Sequence, residues 1–168
     1  MNKTIEKLLE VLEQEAQLYG ELAGLLGKER EAMRRLDMAR LEEHLGTKAV
    51  ILGRIVQLEK ERAGLASTLA AEQGWAGEKA PSLLDLLRRI PAPWAGRLME
   101  VRLRLRQFVE RVGEGTDSNR RFVEGILAVM EGAMENLRSA VAGPSLYGRK
   151  GKLGARGLGG GDFLRQAI

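Results

Sequence analysis

Residues 5–36 repeat an apolar side chain every seven positions, and this repeat constrains the fold more than any other feature of the sequence. The first line of the repeat consists of Ile5, Leu12, Tyr19, Leu26 and Met33. The second line consists of Leu8, Leu22 and Leu36, with Glu15 and Glu29 interrupting it. Such a pattern predicts one helix with a coiled-coil type of apolar stripe. At about 1.5 Å per residue this helix is roughly 50 Å long, so it needs a long partner.

The partner is predicted to follow directly, as the second arm of a hairpin. Asp37 is well placed to cap a new helix, because its carboxylate can accept hydrogen bonds from the first free amides. Leu36 and Leu41 then occupy the positions of a hydrophobic staple. One continuous helix through Asp37 is the alternative, since no glycine or proline interrupts the chain there.

The second helix is expected to run to about Gln73. Its apolar stripe is predicted to contain Leu41, Leu45, Leu52, Ile55, Ala66 and Leu69, with Lys48 and Glu59 interrupting it. A glycine- and proline-containing stretch over residues 72–82 predicts a loop.

A short helix is expected next, over residues 83–89. Ser82 and Asp85 form a capping box that opens it, and Pro91 and Pro93 end it.

The last helical segment is predicted to be one long helix over residues 93–141. Apolar residues spaced three or four apart from Trp94 to Val112 resume in the same phase at Phe122. Gly113 and Gly115 are therefore expected to weaken the helix without breaking it, at roughly 1 kcal/mol each. Asn119 falls in the apolar seam, where a polar side chain can fix the register.

The sequence therefore predicts an all-α fold: a long antiparallel helical hairpin plus a long C-terminal helix in a coiled-coil-like bundle. Residues 1–142 are expected to form the helical domain, and residues 143–168 a flexible, glycine-rich basic tail. The tail accounts for the whole net charge of +4, with five basic residues against Asp162. A neutral body argues against a nucleic-acid-binding fold.

The sequence offers little for catalysis or for binding a cofactor. It has no cysteine and a single histidine, His44, so no thiolate or His/Cys metal site is expected. Acidic side chains alternate with Lys and Arg, as on solvated helix faces. We therefore predict no catalytic residues, no metal and no cofactor. No apolar run approaches the roughly 20 residues of a membrane span, so no membrane insertion is predicted.

Apolar residues of the last helix spread over more than one narrow stripe between Phe122 and Leu137. A surface left for a partner and ordinary burial in the core are the two alternatives for this stretch.

The order of these features resembles the FlgN-like flagellar export chaperones, which escort the hook-associated proteins of the hook–filament junction. The resemblance is carried by "LLEVLEQEAQLYGELAGLLGKEREAMRRLD", "KAVILGRIVQLEKER", "NRRFVEGIL" and "SLYGRKG". The last of these is similar to the family's Leu-Tyr-Gly-x-x-Gly motif near the C-terminus and is the most specific.

The resemblance implies a cytoplasmic chaperone of type III protein export in bacterial flagellum biogenesis, without enzymatic activity. It implies that the C-terminal part of the chain holds the helical ends of junction proteins. The client-binding candidates are Phe122, Ile126, Val129, Met130, Met134 and Leu137. It also implies that Tyr147, flanked by Leu146 and Gly148, docks on the cytoplasmic domain of the export-gate membrane protein. In the alternative, Tyr147 packs on its own helix end.

Two other functions remain open at this level. One is a structural coiled-coil dimer that uses the Ile5–Met33 stripe, and the other is a helical nucleic-acid binder that uses the basic tail. A hairpin that satisfies its own seam is expected to be a monomer or a weak homodimer, which the mass in solution would distinguish from a coiled-coil dimer.

Overall fold

The computed structural model describes residues 2–74 and 82–142, which contain four helices and no strand. Helix α1 spans Asn2–Arg34, α2 spans Met38–Glu72, α3 spans Leu83–Leu87 and α4 spans Ala92–Ala142. The all-α prediction is confirmed. The described chain divides into two units, of which one ends at Phe122 and the other begins at Val123. Residues 75–81 and the tail from residue 143 lie outside the described residues, so the predicted tail remains a prediction.

The predicted turn between the first two helices is confirmed, and the continuous helix through Asp37 is wrong. Asp37 is the N-cap of α2, and its carboxylate accepts a hydrogen bond from the Arg40 amide at 3.1 Å. Leu36 adopts a left-handed backbone conformation with φ of 55°. Its side chain is 76% exposed, so the predicted staple with Leu41 is not formed. The cap and the left-handed residue reverse the chain without help from that staple.

Helix α1 buries most of the predicted stripe and several residues beside it. Ile5, Leu8 and Leu12 are fully buried, whereas Tyr19 and Met33 are only partly buried. Additional buried residues flank the stripe: Leu9, Val11, Ala16, Leu25 and Ala32. The main core cluster joins α1 to residues of α2, α3 and α4. Because α1 contacts several elements, its apolar face is broader than a two-helix seam requires. Most of the stripe is thus covered within one chain.

The predicted stripe of α2 is wrong in its middle. Leu45 and Leu52 are 50% and 43% exposed, whereas Ile51 and Leu58 are buried. Two apolar lines run along α2, and only one of them can face α1. The contacts of Lys48 with Glu29 and of Arg62 with Glu15 on α1 fit the orientation in which Ile51 faces the core.

The short helix and its cap agree with the sequence, although α3 ends at Leu87 rather than residue 89. The Ser82 hydroxyl accepts a hydrogen bond from the Asp85 amide at 3.2 Å, and the Asp85 carboxylate accepts from the Ser82 amide at 3.2 Å. The Ser82 hydroxyl also donates to the Asp85 carboxylate, and this hydrogen bond, together with that from the Ser82 amide, holds the pKa of the Asp85 carboxyl below its usual range. Leu86 is fully buried and anchors α3 to the main core.

Helix α4 is continuous through Gly113 and Gly115, as its unbroken phase predicts. Its first part packs on the hairpin, with Leu98 and Val101 buried in the main core cluster. A Cβ added at Gly115 would lie 3.1 Å from Leu26 Cδ1, a distance at which Leu26 must move. Gly115 therefore permits close approach of α4 to α1. The predicted helix over residues 93–141 is confirmed, since α4 spans Ala92–Ala142.

Candidate functional site

The last part of α4 exposes a long apolar face. Two lines of residues spaced by seven contribute to it: Phe122 with Val129, and Met130 with Leu137. Val129, Met130 and Leu137 are 73%, 56% and 65% exposed, respectively. We call this surface the C-terminal face and define it by Phe122, Ile126, Val129, Met130, Met134 and Leu137. Exposed apolar surface on this scale is typical of an interaction site.

The structure places the six predicted client-binding residues on this one stretch of helix, with differences between them. Phe122 and Ile126 are partly buried, whereas the other four are exposed. Three further apolar residues of the same helix are exposed: Val123, Leu127 and Val141. Val123 and Leu127 belong to the apolar stretch noted in the sequence, although they were not among the client-binding candidates, and Val141 was missed. Each of the three lies seven positions from Met130 or Met134, a spacing that places it on the same side of the helix.

Phe122 also has a role in the packed part of the molecule. The Arg30 guanidinium lies over the Phe122 ring, 5.8 Å from its centroid. The same guanidinium donates a hydrogen bond to the Ser118 carbonyl oxygen. Arg30 therefore ties α1 to α4 at the last residues of the first unit, and substitution of Phe122 is expected to affect folding as well as binding.

A polar network beside this contact includes three helices. Asn119 Nδ2 donates to the Leu26 carbonyl oxygen at 2.9 Å and lies 3.5 Å from Glu29 Oε2. Lys48 Nζ of α2 lies 3.0 Å from the same Glu29 oxygen. These three side chains interrupt three separate apolar stripes. Because the three polar side chains contact one another, each stripe can accommodate a polar residue at this level. These contacts favour one register of α1, α2 and α4, which is the role predicted for Asn119.

A second polar contact lies two heptads earlier on α1. Arg62 Nε donates to both carboxylate oxygens of Glu15, at 3.0 and 3.1 Å. Burial raises the pKa of the Glu15 carboxyl above its usual value, although Arg62 opposes this shift. Tyr19 Oη donates to Glu59 Oε1 at 3.1 Å, and burial together with Glu59 raises the pKa of Tyr19. These four side chains hydrogen-bond to one another in pairs, so we interpret them as structural contacts between α1 and α2 and not as a binding site.

Within residues 2–74 and 82–142, no group of three His, Asp or Glu side chains is close enough together to hold a metal ion. His44 lines a charged depression beside the α1–α2 turn. The other residues that line it are Lys28, Glu31, Ala32, Arg35, Asp37, Arg40 and Glu43. No helix in those two ranges combines the length and apolar character needed to cross a bilayer.

The predicted docking residues Leu146, Tyr147 and Gly148 lie outside the described residues, so their role remains a prediction.

One apolar surface on α2 was missed as a surface by the sequence analysis. It consists of two lines spaced by seven residues, Met38, Leu45 and Leu52, and Ala49, Val56 and Ala63. All six residues are exposed. We call this surface the outer stripe of α2. The sequence did show its residues, but assigned Leu45 and Leu52 to the core.

A helical bundle with an exposed apolar helix face is typical of proteins that act by binding other proteins. The sequence matches the FlgN protein family over residues 1–155. The chain therefore belongs to the FlgN family, a family of flagellar export chaperones and not of enzymes. The matched range includes the "SLYGRKG" motif at residues 145–151. Comparisons with curated proteins and with solved structures gave no match.

Proposed function

We propose that this protein is a cytoplasmic chaperone that binds hook-associated proteins of the hook–filament junction and delivers them to the flagellar export gate. The observation that supports client binding is the exposed apolar surface of the C-terminal face, where four of the six predicted residues are exposed. Family membership supports the flagellar role.

The C-terminal face suits an amphipathic client helix. Its residues repeat every seven positions, as in a coiled coil, so a client helix with its own apolar stripe supplies the missing partner. Met130 and Met134 are flexible and polarizable, which allows the face to repack against clients of different sequence. Covering the client helix in this way keeps its apolar side chains from self-association before export.

Delivery to the gate is assigned to Tyr147. The tyrosine lies five residues after the last residue of α4, among glycines and basic residues. Glycine-rich chains are flexible, and one aromatic ring provides a large contact area. Positive charge on the tail accelerates encounter with an acidic surface. One chain can thus hold a client on α4 while the tail reaches the gate.

The client site is tested by replacing Met130 and Met134 with Glu. Each side chain is more than half exposed, so the variants are expected to keep the melting temperature of the wild type. Affinity for junction proteins, measured by calorimetry, is expected to fall at least tenfold, or about 1.4 kcal/mol. Ala128→Glu is the matched control, because Ala128 is exposed on the other side of the same helix.

Three outcomes would count against this assignment. Unchanged affinity in the Met130→Glu/Met134→Glu protein removes the C-terminal face as the client site. A large fall in melting temperature places the two residues in the core, since a buried charge is costly. A chain ending at residue 142 that folds but binds no junction protein moves the client site to the tail.

The docking role is tested separately with Tyr147→Ala in client-loaded protein. Melting temperature and client affinity are expected to stay constant, while affinity for the isolated gate domain falls at least tenfold, as for an interface hot spot. Near-normal affinity of Tyr147→Phe would assign the effect to the ring. Equal affinity of Tyr147→Ala and wild type contradicts docking, and a destabilised variant supports packing on the helix end.

A further inference from the structure

The outer stripe of α2 is an apolar surface without a partner in the described chain. Met38, Leu45, Leu52 and Val56 are 67%, 50%, 43% and 49% exposed. On a regular helix the stripe lies about a third of a turn from the line of Ile51, Ile55 and Leu58 that faces the core. It extends over 38–63, about 37 Å of helix, and shares no residue with the C-terminal face.

The stripes of two copies of α2 are complementary to each other when the two helices run antiparallel. Placing Leu52 opposite Ala49 of a second copy also places Leu45 opposite Val56 and Met38 opposite Ala63. One register therefore satisfies all three pairs, with the larger side chain facing a smaller one in each. Such alternation lets two helix surfaces interdigitate closely. A two-fold axis makes every pair occur twice.

Charges at the ends of the stripe fit the same arrangement. Glu42 and Lys60 are exposed, and neither forms an ion pair within the described part of the chain. Reversal of direction brings Glu42 near Lys60 of the other copy. Glu59, the neighbour of Lys60, accepts a hydrogen bond from Tyr19 and is thereby turned toward α1. The stripe thus ends in opposite charges that meet across the axis.

We propose that the outer stripe of α2 is a self-association surface through which two copies of this chain pair in antiparallel orientation. The interface consists of one short stripe on each copy, so the dimer is weak and reversible. Because the stripe and the C-terminal face have no residue in common, self-association does not consume the residues assigned to clients.

The first test is sedimentation equilibrium of the full chain over a wide concentration range. The wild type is expected to dimerise, and Leu52→Glu is expected to raise the dissociation constant at least tenfold. Val50→Glu is the matched control, because Val50 lies on α2 outside the stripe and is 74% exposed. A wild type that remains monomeric at millimolar concentration overturns the proposal. An equal effect of Val50→Glu also overturns it.

The second test exchanges the charges. Glu42→Lys and Lys60→Glu are each expected to weaken the dimer roughly threefold, as for exposed ion pairs. The double variant Glu42→Lys/Lys60→Glu is expected to recover wild-type affinity, because the opposite charges meet again. Additive weakening in the double variant contradicts the antiparallel register.

The third test uses the absence of cysteine from the sequence. A mixture of Leu45→Cys and Val56→Cys proteins is expected to form a mixed disulfide under mild oxidation. Neither protein alone is expected to cross-link, since two copies of Leu45 lie about 16 Å apart along an antiparallel pair. Cross-linking of Leu45→Cys to itself indicates parallel pairing and overturns the geometry. A monomeric wild type whose client binding is lost in Leu52→Glu assigns the stripe to clients instead.

Discussion

The two parts of α4 carry the same repeat and meet different environments. Before Phe122, the repeat is buried at its start, where Leu98 and Val101 are 0% and 4% exposed, and partly buried further on, at Leu105, Phe108 and Val112. After Phe122, residues of the same helix such as Val129 and Leu137 are 73% and 65% exposed. A heptad pattern therefore states that a helix face needs a partner, but it does not state which molecule provides the partner.

The two parts also differ in their polar contacts. The first part contacts α1 through directional groups, namely the Asn119 amide and the Ser118 carbonyl oxygen. In the second part, Glu135 pairs with Arg138 of the same helix, at 3.6 Å. Directional contacts select one register for a permanent neighbour. An apolar, methionine-containing face accepts several geometries, which suits a partner that arrives and leaves.

The largest expected difference between the two parts is in packing energy. Leu98→Ala is expected to lower the free energy of unfolding by about 2–5 kcal/mol, because it leaves a cavity in the main core. Leu137→Ala is expected to change it by less than about 0.5 kcal/mol, as for an exposed site. Urea denaturation followed by circular dichroism measures both values.

For the affinity toward junction proteins, the expected order of the two substitutions is the opposite of that for the free energy of unfolding. Leu137→Ala is expected to weaken binding, whereas Leu98→Ala, measured where it is still folded, is expected to bind normally. The comparison between the two parts breaks down if Leu137→Ala destabilises the chain as much as Leu98→Ala does.

A smaller effect is expected at Asn119, which marks the end of the packed part. Asn119→Ala removes a hydrogen bond to the Leu26 carbonyl oxygen and the contact with Glu29. Loss of a hydrogen bond of this kind costs about 1–2 kcal/mol. The change should appear in the free energy of unfolding. Ser118→Ala is a suitable control, since Ser118 contributes its main-chain oxygen to Arg30 and keeps that oxygen in the variant. Equal losses in the two variants would contradict a specific role for Asn119.

The elements of the fold were predictable because their signals are local. The Asp37 cap, the Ser82–Asp85 capping box and the phase that continues past Gly115 all act within a few residues of sequence. The helix order and the hairpin follow from them.

The orientation of α2 was not predictable from α2 alone. Both of its apolar lines have the same spacing. Which line faces the core depends on contacts with another helix, such as those of Lys48 with Glu29 and of Arg62 with Glu15. For the same reason Leu45 and Leu52 of the outer stripe were assigned to the core. Charge pairs between helices depend on the tertiary arrangement, and the apolar pattern of a single helix does not show that arrangement.

For the residues between Phe122 and Leu137, the sequence left a partner surface and burial in the core as alternatives. The structure exposes most of them, and their role in client binding stays a prediction. The sequence could not show that Phe122 contacts Arg30 and contributes to packing, because these residues are far apart along the chain.

The smallest expected effects are those of Gly→Ala substitutions in α4. Comparing them tests where the close packing of α4 on α1 ends. Gly113 and Gly132 have open space where a Cβ would be, whereas a Cβ at Gly115 would lie 3.1 Å from Leu26 Cδ1. Alanine favours a helix over glycine by about 0.5–1 kcal/mol. Gly113→Ala is therefore expected to stabilise the chain by that amount. Gly132→Ala is expected to raise the helicity of the second part, measured by hydrogen exchange of its amides.

Gly115→Ala is expected to lose this gain, because the added methyl group displaces Leu26 from its packed position. Its free energy of unfolding should lie about 1 kcal/mol below that of Gly113→Ala, although the two substitutions are chemically identical and two residues apart. Leu26→Ala removes the crowding atom, so Gly115→Ala made in that background should stabilise the chain as Gly113→Ala does. This double-mutant cycle separates helix propensity from interhelical contact. If Gly115→Ala stabilises the chain equally in both backgrounds, α4 is not held closely against α1 at Leu26, and the packed part of the helix ends earlier than Phe122.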